Sequence, residues 1–125
     1  MVSTSLYDQL GGSSFFERLV DAFYAGVESN ELLRAMYPED LAESKRHLTL
    51  FLVQYWGGPT SYMQERGHPR LRLRHARFQI TKEARDSWMV AMDAALGSLR
   101  DELTDAQFEE LHAYLDMAAT QMRNV

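Results

Sequence analysis

The stretch Phe51–His75, FLVQYWGGPTSYMQERGHPRLRLRH, constrains the fold more than any other part of the chain. An apolar helical run reaches Gly57-Gly58-Pro59 and stops there, because proline lacks an N–H and glycine favours turns. The loop that follows, to about Pro69, is long for a compact domain, and such loops are usually functional or disordered. Its Trp56, Tyr62 and Met63 predict an ordered loop that packs down. A two-turn helix around Arg70–Ala76 follows, and it places Arg70, Arg72 and Arg74, with Arg66 and Arg77 just outside it, around one histidine, His75.

The rest of the chain is helical by its spacing, with no convincing period-2 run. Ser14 and Glu17 have the spacing of a capping box. They open a helix to about Glu28, with Phe16, Leu19, Val20, Phe23 and Val27 on one stripe. A short helical turn at Glu31–Met36 is stopped by Tyr37-Pro38, since the residue before proline is driven out of the α region. A helix from about Asp40 to Tyr55 turns Ser44, Leu48, Phe51, Leu52 and Tyr55 inward at steps of three and four. Thr81 caps a helix to about Leu99 with Ala84, Trp88, Ala91, Met92, Ala95, Leu96 and Leu99 inside. A second capping box, Thr104 with Gln107, starts a last helix to about Met122, striped by Phe108, Leu111, Leu115, Ala118 and Met122. The expected fold is all-α, in one domain over residues 1–125, with four substantial helices and several short ones.

The 125 residues are 46% hydrophobic and include no cysteine, which excludes disulfides, thiolate metal sites and cysteine nucleophiles. No apolar run approaches the ~18 residues of a membrane span. The start of the chain has neither the basic nor the apolar segment of a signal peptide. A soluble, cytoplasmic protein is expected. The net charge of −5 conceals a basic strip: Arg66–Arg85 holds six Arg and one Lys against one Glu, a local +6, so the remainder carries −11. Such a strip is a candidate anion site, although charge runs are commonly just solvated faces. Nucleic acid is not the expected partner, because the acidic remainder would repel it over most approaches.

Four histidines compete for a metal. His68 precedes Pro69 and is expected to be exposed in the loop; His47 lies at the rim of its helix; His112 has no ligand type beside it. His75 shares the apolar side of its short helix with Leu71 and Phe78. A lone histidine there reads as an ordinary packed residue or as a metal ligand. No second ligand stands at the spacing of a multi-ligand zinc site. A metal held by this one nitrogen would need its other ligands from a cofactor. Haem supplies four nitrogens, and its propionates call for cations such as Arg66, Arg70, Arg72, Arg74 and Arg77. The Leu71 carbonyl, four residues earlier, is available to accept Nδ1–H and leave Nε2 for iron.

With these residues in view, the chain resembles the truncated, 2-over-2 haemoglobins of the second group, from about Leu6 to Ala119. The likeness rests on YDQLGG (7–12), FYAGV (23–27), YPEDL (37–41), FLVQYWGGP (51–59), RGHPRLRLRH (66–75) and DSW (86–88). It implies a 2-over-2 helical sandwich around haem b with a short proximal helix, and His75 as the iron ligand. It implies that Tyr24, Tyr37 and Trp88 reach the gas-binding side, lined by Ser44, Leu48 and Phe51. Tyr62, Arg66, His68, Leu71, Arg74 and Phe78 are implied cofactor contacts. Many members of the group carry Pro where this chain has Arg77, so the short helix is expected to run slightly further and Arg77 to add a propionate contact. His47 stands where many carry Arg.

The function implied is reversible binding of O2 and other diatomic gases such as NO and CO at a five-coordinate iron. The alternative is a haem redox enzyme, an NO dioxygenase or peroxidase, which needs an external reductant; that reductase would dock on the acidic surface. A homodimer is compatible with the resemblance. A helical module whose basic strip binds nucleic acid or an acidic protein is the third reading.

Overall fold

A computed structural model describes residues 4–125. Its eight α-helices are α1 (Leu6–Gln9), α2 (Ser13–Glu28), α3 (Glu31–Arg34), α4 (Ala42–Tyr55), α5 (Ser61–Arg66), α6 (Leu71–His75), α7 (Lys82–Ser98) and α8 (Asp105–Met122), with a 3-10 turn at Arg100–Glu102. No strand occurs among the described residues. Helices α2 and α4 form one pair and α7 and α8 the other, two over two, with α2 lying across α7. No described helix is long and apolar enough to cross a membrane.

The expected apolar stripes place the core. On α2, Phe16, Leu19, Phe23 and Val27 are wholly buried, and Phe15 joins them from outside the expected stripe. Leu52 of α4, Met92 and Leu96 of α7, and Leu111 and Leu115 of α8 complete the same cluster. Fully burying one such side chain is worth roughly 1.5–3 kcal/mol. All the buried side chains among the described residues are hydrophobic or aromatic. Helix α2 can approach α7 closely because Gly26 faces Ala91: a Cβ on Gly26 would lie 3.0 Å from the Ala91 Cβ.

Two of the expected caps form. Thr81 accepts from the Ala84 N–H, and Thr104 and Gln107 make the reciprocal box. The box expected at Ser14 does not. Gly11 and Gly12, at φ 89° and 91°, turn the chain straight into a helix that begins at Ser13, so Ser14 sits inside the first turn rather than at the cap. Helix α4 likewise starts at Ala42, not Asp40, with the Asp40 carboxylate accepting from the Ala42 N–H at 2.9 Å.

The long loop after Pro59 contains a helix, α5, that was not expected. Gln54 Oε1 accepts from the Met63 N–H at 2.9 Å, and Arg46 of α4 forks onto Glu65 with both bonds at 2.6 Å. Tyr62 packs down as expected, whereas Met63 is 51% exposed. Tyr55 was expected inside but is 49% exposed, its ring stacked at 3.8 Å on Tyr114. On α8 the inner alanine is Ala119 in place of Ala118, the rotation that a 3.6-residue period imposes after Leu115. Helix α6 starts at Leu71 because Arg70 is left-handed (φ 45°), and it ends at His75 with no extension towards Arg77.

Candidate functional site

Helix α6 carries His75, and its local geometry fixes the ring. The Nδ1–H donates to the Leu71 carbonyl at 2.6 Å, the bond anticipated from the spacing. This bond orients the ring and leaves Nε2 as the nitrogen available to a ligand. Phe78 flanks the imidazole at 6.5 Å between ring centroids. Beside α6 lies an open cleft of about 420 Å³ walled by Phe51, Leu71, Tyr114 and Met122 among others, within the size range of ligand pockets. Burial and the neighbouring Tyr55 push the Tyr114 phenol up to about 12, so it stays protonated as a neutral wall.

A second group gathers at the junction of α2, α4 and α7. Tyr24 is buried and meets the Tyr37 ring edge-on at 5.5 Å. Phe23 sits between them and α7, 5.0 Å from both Tyr24 and Trp88. Burial drives the Tyr24 phenol far above its ordinary range; the Tyr37 phenol adds to the rise and the Ser44 hydroxyl opposes it. Burial also raises Tyr37, against the Trp88 N–H and the Tyr24 hydroxyl, which both interact with its oxygen. Three of the expected distal residues, Tyr24, Tyr37 and Trp88, thus share one aromatic cluster with Phe23, and the Ser44 hydroxyl is near enough to Tyr24 to oppose its rise. Leu48 and Phe51 of α4 lie partly buried against the same core.

The remaining expected residues divide. Tyr62 is buried under Phe51, with ring centroids 5.6 Å apart. Arg66 lies over the Tyr62 ring and donates Nη1–H to His47 Nδ1 at 2.5 Å. Burial first, and then the Arg66 charge, hold the His47 imidazolium below its ordinary range. His68 is exposed, its Nδ1 accepting from the Arg70 N–H. Arg74 turns back onto the loop, donating to the carbonyls of Pro69 at 2.7 Å and Arg66 at 2.9 Å. Arg77 is exposed over Phe78. His112 stacks on Phe108 and meets Asp93 at 3.1 Å, an ordinary surface pair. Tyr114 and Met122 line the cleft but were not singled out from the sequence as site residues. Tyr114 lies three residues after Leu111, a spacing that would have found it.

Among the described residues no group of three or more His, Cys, Asp or Glu could hold a metal. A single imidazole with its Nδ1 already bonded, beside a cleft lined by Phe51, Leu71 and Met122 and by the cations Arg70 and Arg72, suits a metal that brings its other ligands with it. The donor set therefore fits haem.

The family model for bacterial-like globins matches residues 5–124. A group 2 truncated haemoglobin of Bacillus subtilis, YjbI, is 41% identical over 113 residues, covering 90% of this chain and 84% of its own. The chain is a truncated haemoglobin of the second group. A thermostable haemoglobin from Thermobifida fusca superposes with a TM-score of 0.94 at 45% identity, over 98% of each chain. A truncated oxygen-avid haemoglobin from Bacillus subtilis does so at 0.90 and 39%, over 97% of this chain and all of that one. The all-α two-over-two fold follows, and with it haem, iron and the binding of diatomic gases as properties of this globin's family.

Proposed function

We propose that this globin binds O2 reversibly at haem b and releases it slowly, residues 1–125 acting as one globin unit. The observation that supports the reading is the aromatic cluster in which Tyr24 packs edge-on against Tyr37 at 5.5 Å while Phe23 lies 5.0 Å from both Tyr24 and Trp88. Haem, when bound, would supply an iron able to bind a diatomic gas, and His75 would hold that iron through Nε2. Its bond to the Leu71 carbonyl orients the ring and raises the basicity of Nε2. Leu71, Phe78, Phe51, Leu48 and Tyr62 shield the cofactor from water, and Arg66 offers it a cation.

The two phenols and the indole are donors that stay protonated, because burial holds both phenols above their ordinary range. Each donor to a partly negative gas ligand adds roughly 1–2 kcal/mol, enough to slow release by about ten-fold. The truncated haemoglobin of Bacillus subtilis that superposes on this chain is oxygen-avid, which is in keeping with slow release.

Slow release suits a protein that stores O2 rather than one that carries it in bulk. Stopped-flow mixing of the oxygenated protein with NO, alongside O2 displacement by CO, tests the reading. Slow displacement with NO consumption no faster than O2 release is the binding protein proposed here. NO consumption outpacing release would replace it with the redox alternative, driven by an external reductant.

A further inference from the structure

Helix α6 bears His75, yet none of its five residues is buried and its Leu73 is 68% exposed. It follows a left-handed Arg70 with no side-chain cap. So short a helix has no stability of its own, and none of its side chains is fully buried. Polar side chains from outside the helix's inner face hold its two ends. At the start, the Arg74 guanidinium grips the loop through the carbonyls of Arg66 and Pro69. At the end the grip comes from Asn124, in the segment after α8 and 49 positions away from His75.

The Asn124 amide uses both of its faces. Nδ2 donates to the Phe78 carbonyl at 2.9 Å and to the His75 carbonyl at 3.4 Å, while Oδ1 accepts from the Ile80 N–H at 2.9 Å. Its own backbone N–H donates to the Ile80 carbonyl at 3.0 Å. Ile80 is buried, so the latch is anchored in the core at one side and on the histidine's own peptide at the other. A primary amide is the neutral side chain that carries two donors and an acceptor on one plane. Leucine or aspartate could not make this set.

We propose that Asn124 is a positioning residue for His75, fixing the end of α6 and thereby the seat of the imidazole. The inference rests on His75 being the axial ligand. Without the side-chain latch, the segment would keep the Phe78 N–H to His75 carbonyl turn at 3.0 Å and the backbone bonds of Asn124 and Val125 to the Ile80 carbonyl, but the carbonyls of His75 and Phe78 would lose their tie to the C-terminal segment and the ring would sample more orientations. Removing two or three partly exposed hydrogen bonds should speed haem loss by roughly five- to ten-fold.

The test uses Asn124→Ala and Asn124→Asp, the second keeping the acceptor for Ile80 but setting a carboxylate oxygen against two carbonyls. Resonance Raman spectra of the ferrous protein, haem transfer to apomyoglobin and amide hydrogen exchange are read on each. Both variants are expected to shift or broaden the iron–histidine band, to lose haem faster, and to exchange the Ile80 amide faster while α2 and α8 stay as protected as in the parent. An unmoved band and unchanged haem loss in either folded variant would overturn the proposal. So would faster exchange spread evenly through α2 and α8, which marks general loss of stability. A parent that itself lacks an iron–histidine band would instead overturn the axial reading and this inference with it, and the parent spectrum alone tells the two failures apart.

Discussion

Tyr24 and Tyr37 meet edge to face, their ring centroids 5.5 Å apart and their planes 81° from parallel. That packing holds two phenols from different elements against one another, and Phe23 lies 5.0 Å from both Tyr24 and Trp88 of α7. The proposed control of gas release depends on this junction. Trp88→Phe and Tyr24→Phe should each speed O2 release by about ten-fold, read by displacement with CO. Because Phe23 packs on both rings, the double variant should fall short of the product of the two single effects. Release no faster than in the parent for either single variant counts against the donors' role.

His47 offers a prediction with a definite sign. Its folded-state value is depressed from the ordinary 6.5 by burial and by the Arg66 charge, so folding favours the neutral ring. Whatever stability the Arg66–His47 contact contributes is present above about pH 6.5 and is lost as the pH falls through the depressed value. An NMR titration should place His47 below 6.5, and Arg66→Ala should move it part of the way back, leaving the share due to burial. A value at or above 6.5 would contradict the geometry.

Two glycines should respond in opposite directions. A Cβ on Gly58 would meet Val53 Cγ1 at 2.6 Å and Tyr7 Cδ1 at 2.7 Å. Gly58→Ala should therefore cost about 1–3 kcal/mol by overpacking the joint between α1 and the end of α4. Gly97 lies in the last turn of α7 with open space around it. Gly97→Ala should add about 0.4–1 kcal/mol by lowering the freedom of the unfolded chain. Chemical denaturation of both variants, with unchanged slope, reads the pair.

Much of the fold was legible because the long helices carry their stripes at the spacing that burial requires. Phe16, Leu19, Phe23 and Val27 on α2, and Leu111 and Leu115 on α8, could be read directly. So could the Leu71–His75 bond, since a helical carbonyl four residues back is within reach of an imidazole. What escaped depends on partners distant in sequence. Helix α5 is short and polar, and it owes its place to Gln54, Arg46 and the burial of Tyr62. The start of α2 was set by the positive φ of Gly11 and Gly12 rather than by the Ser14 hydroxyl. Asn124 carries no local signal at all, because its three side-chain partners lie 44 to 49 positions away. Arg74 was expected among the cofactor's cations, and nothing in RLRLRH distinguishes an arginine that faces outward from one that turns back onto carbonyls.

The central claim is that His75 alone ties the haem iron to the protein. Absorption spectra of haem-loaded His75→Gly, recorded with and without added imidazole, test it most directly. Loss of the parent Soret band in the variant, with recovery when imidazole fills the space left by the side chain, is the predicted result. A Soret band in His75→Gly that matches the parent without imidazole, or a parent that stays colourless when haem is supplied, would contradict it.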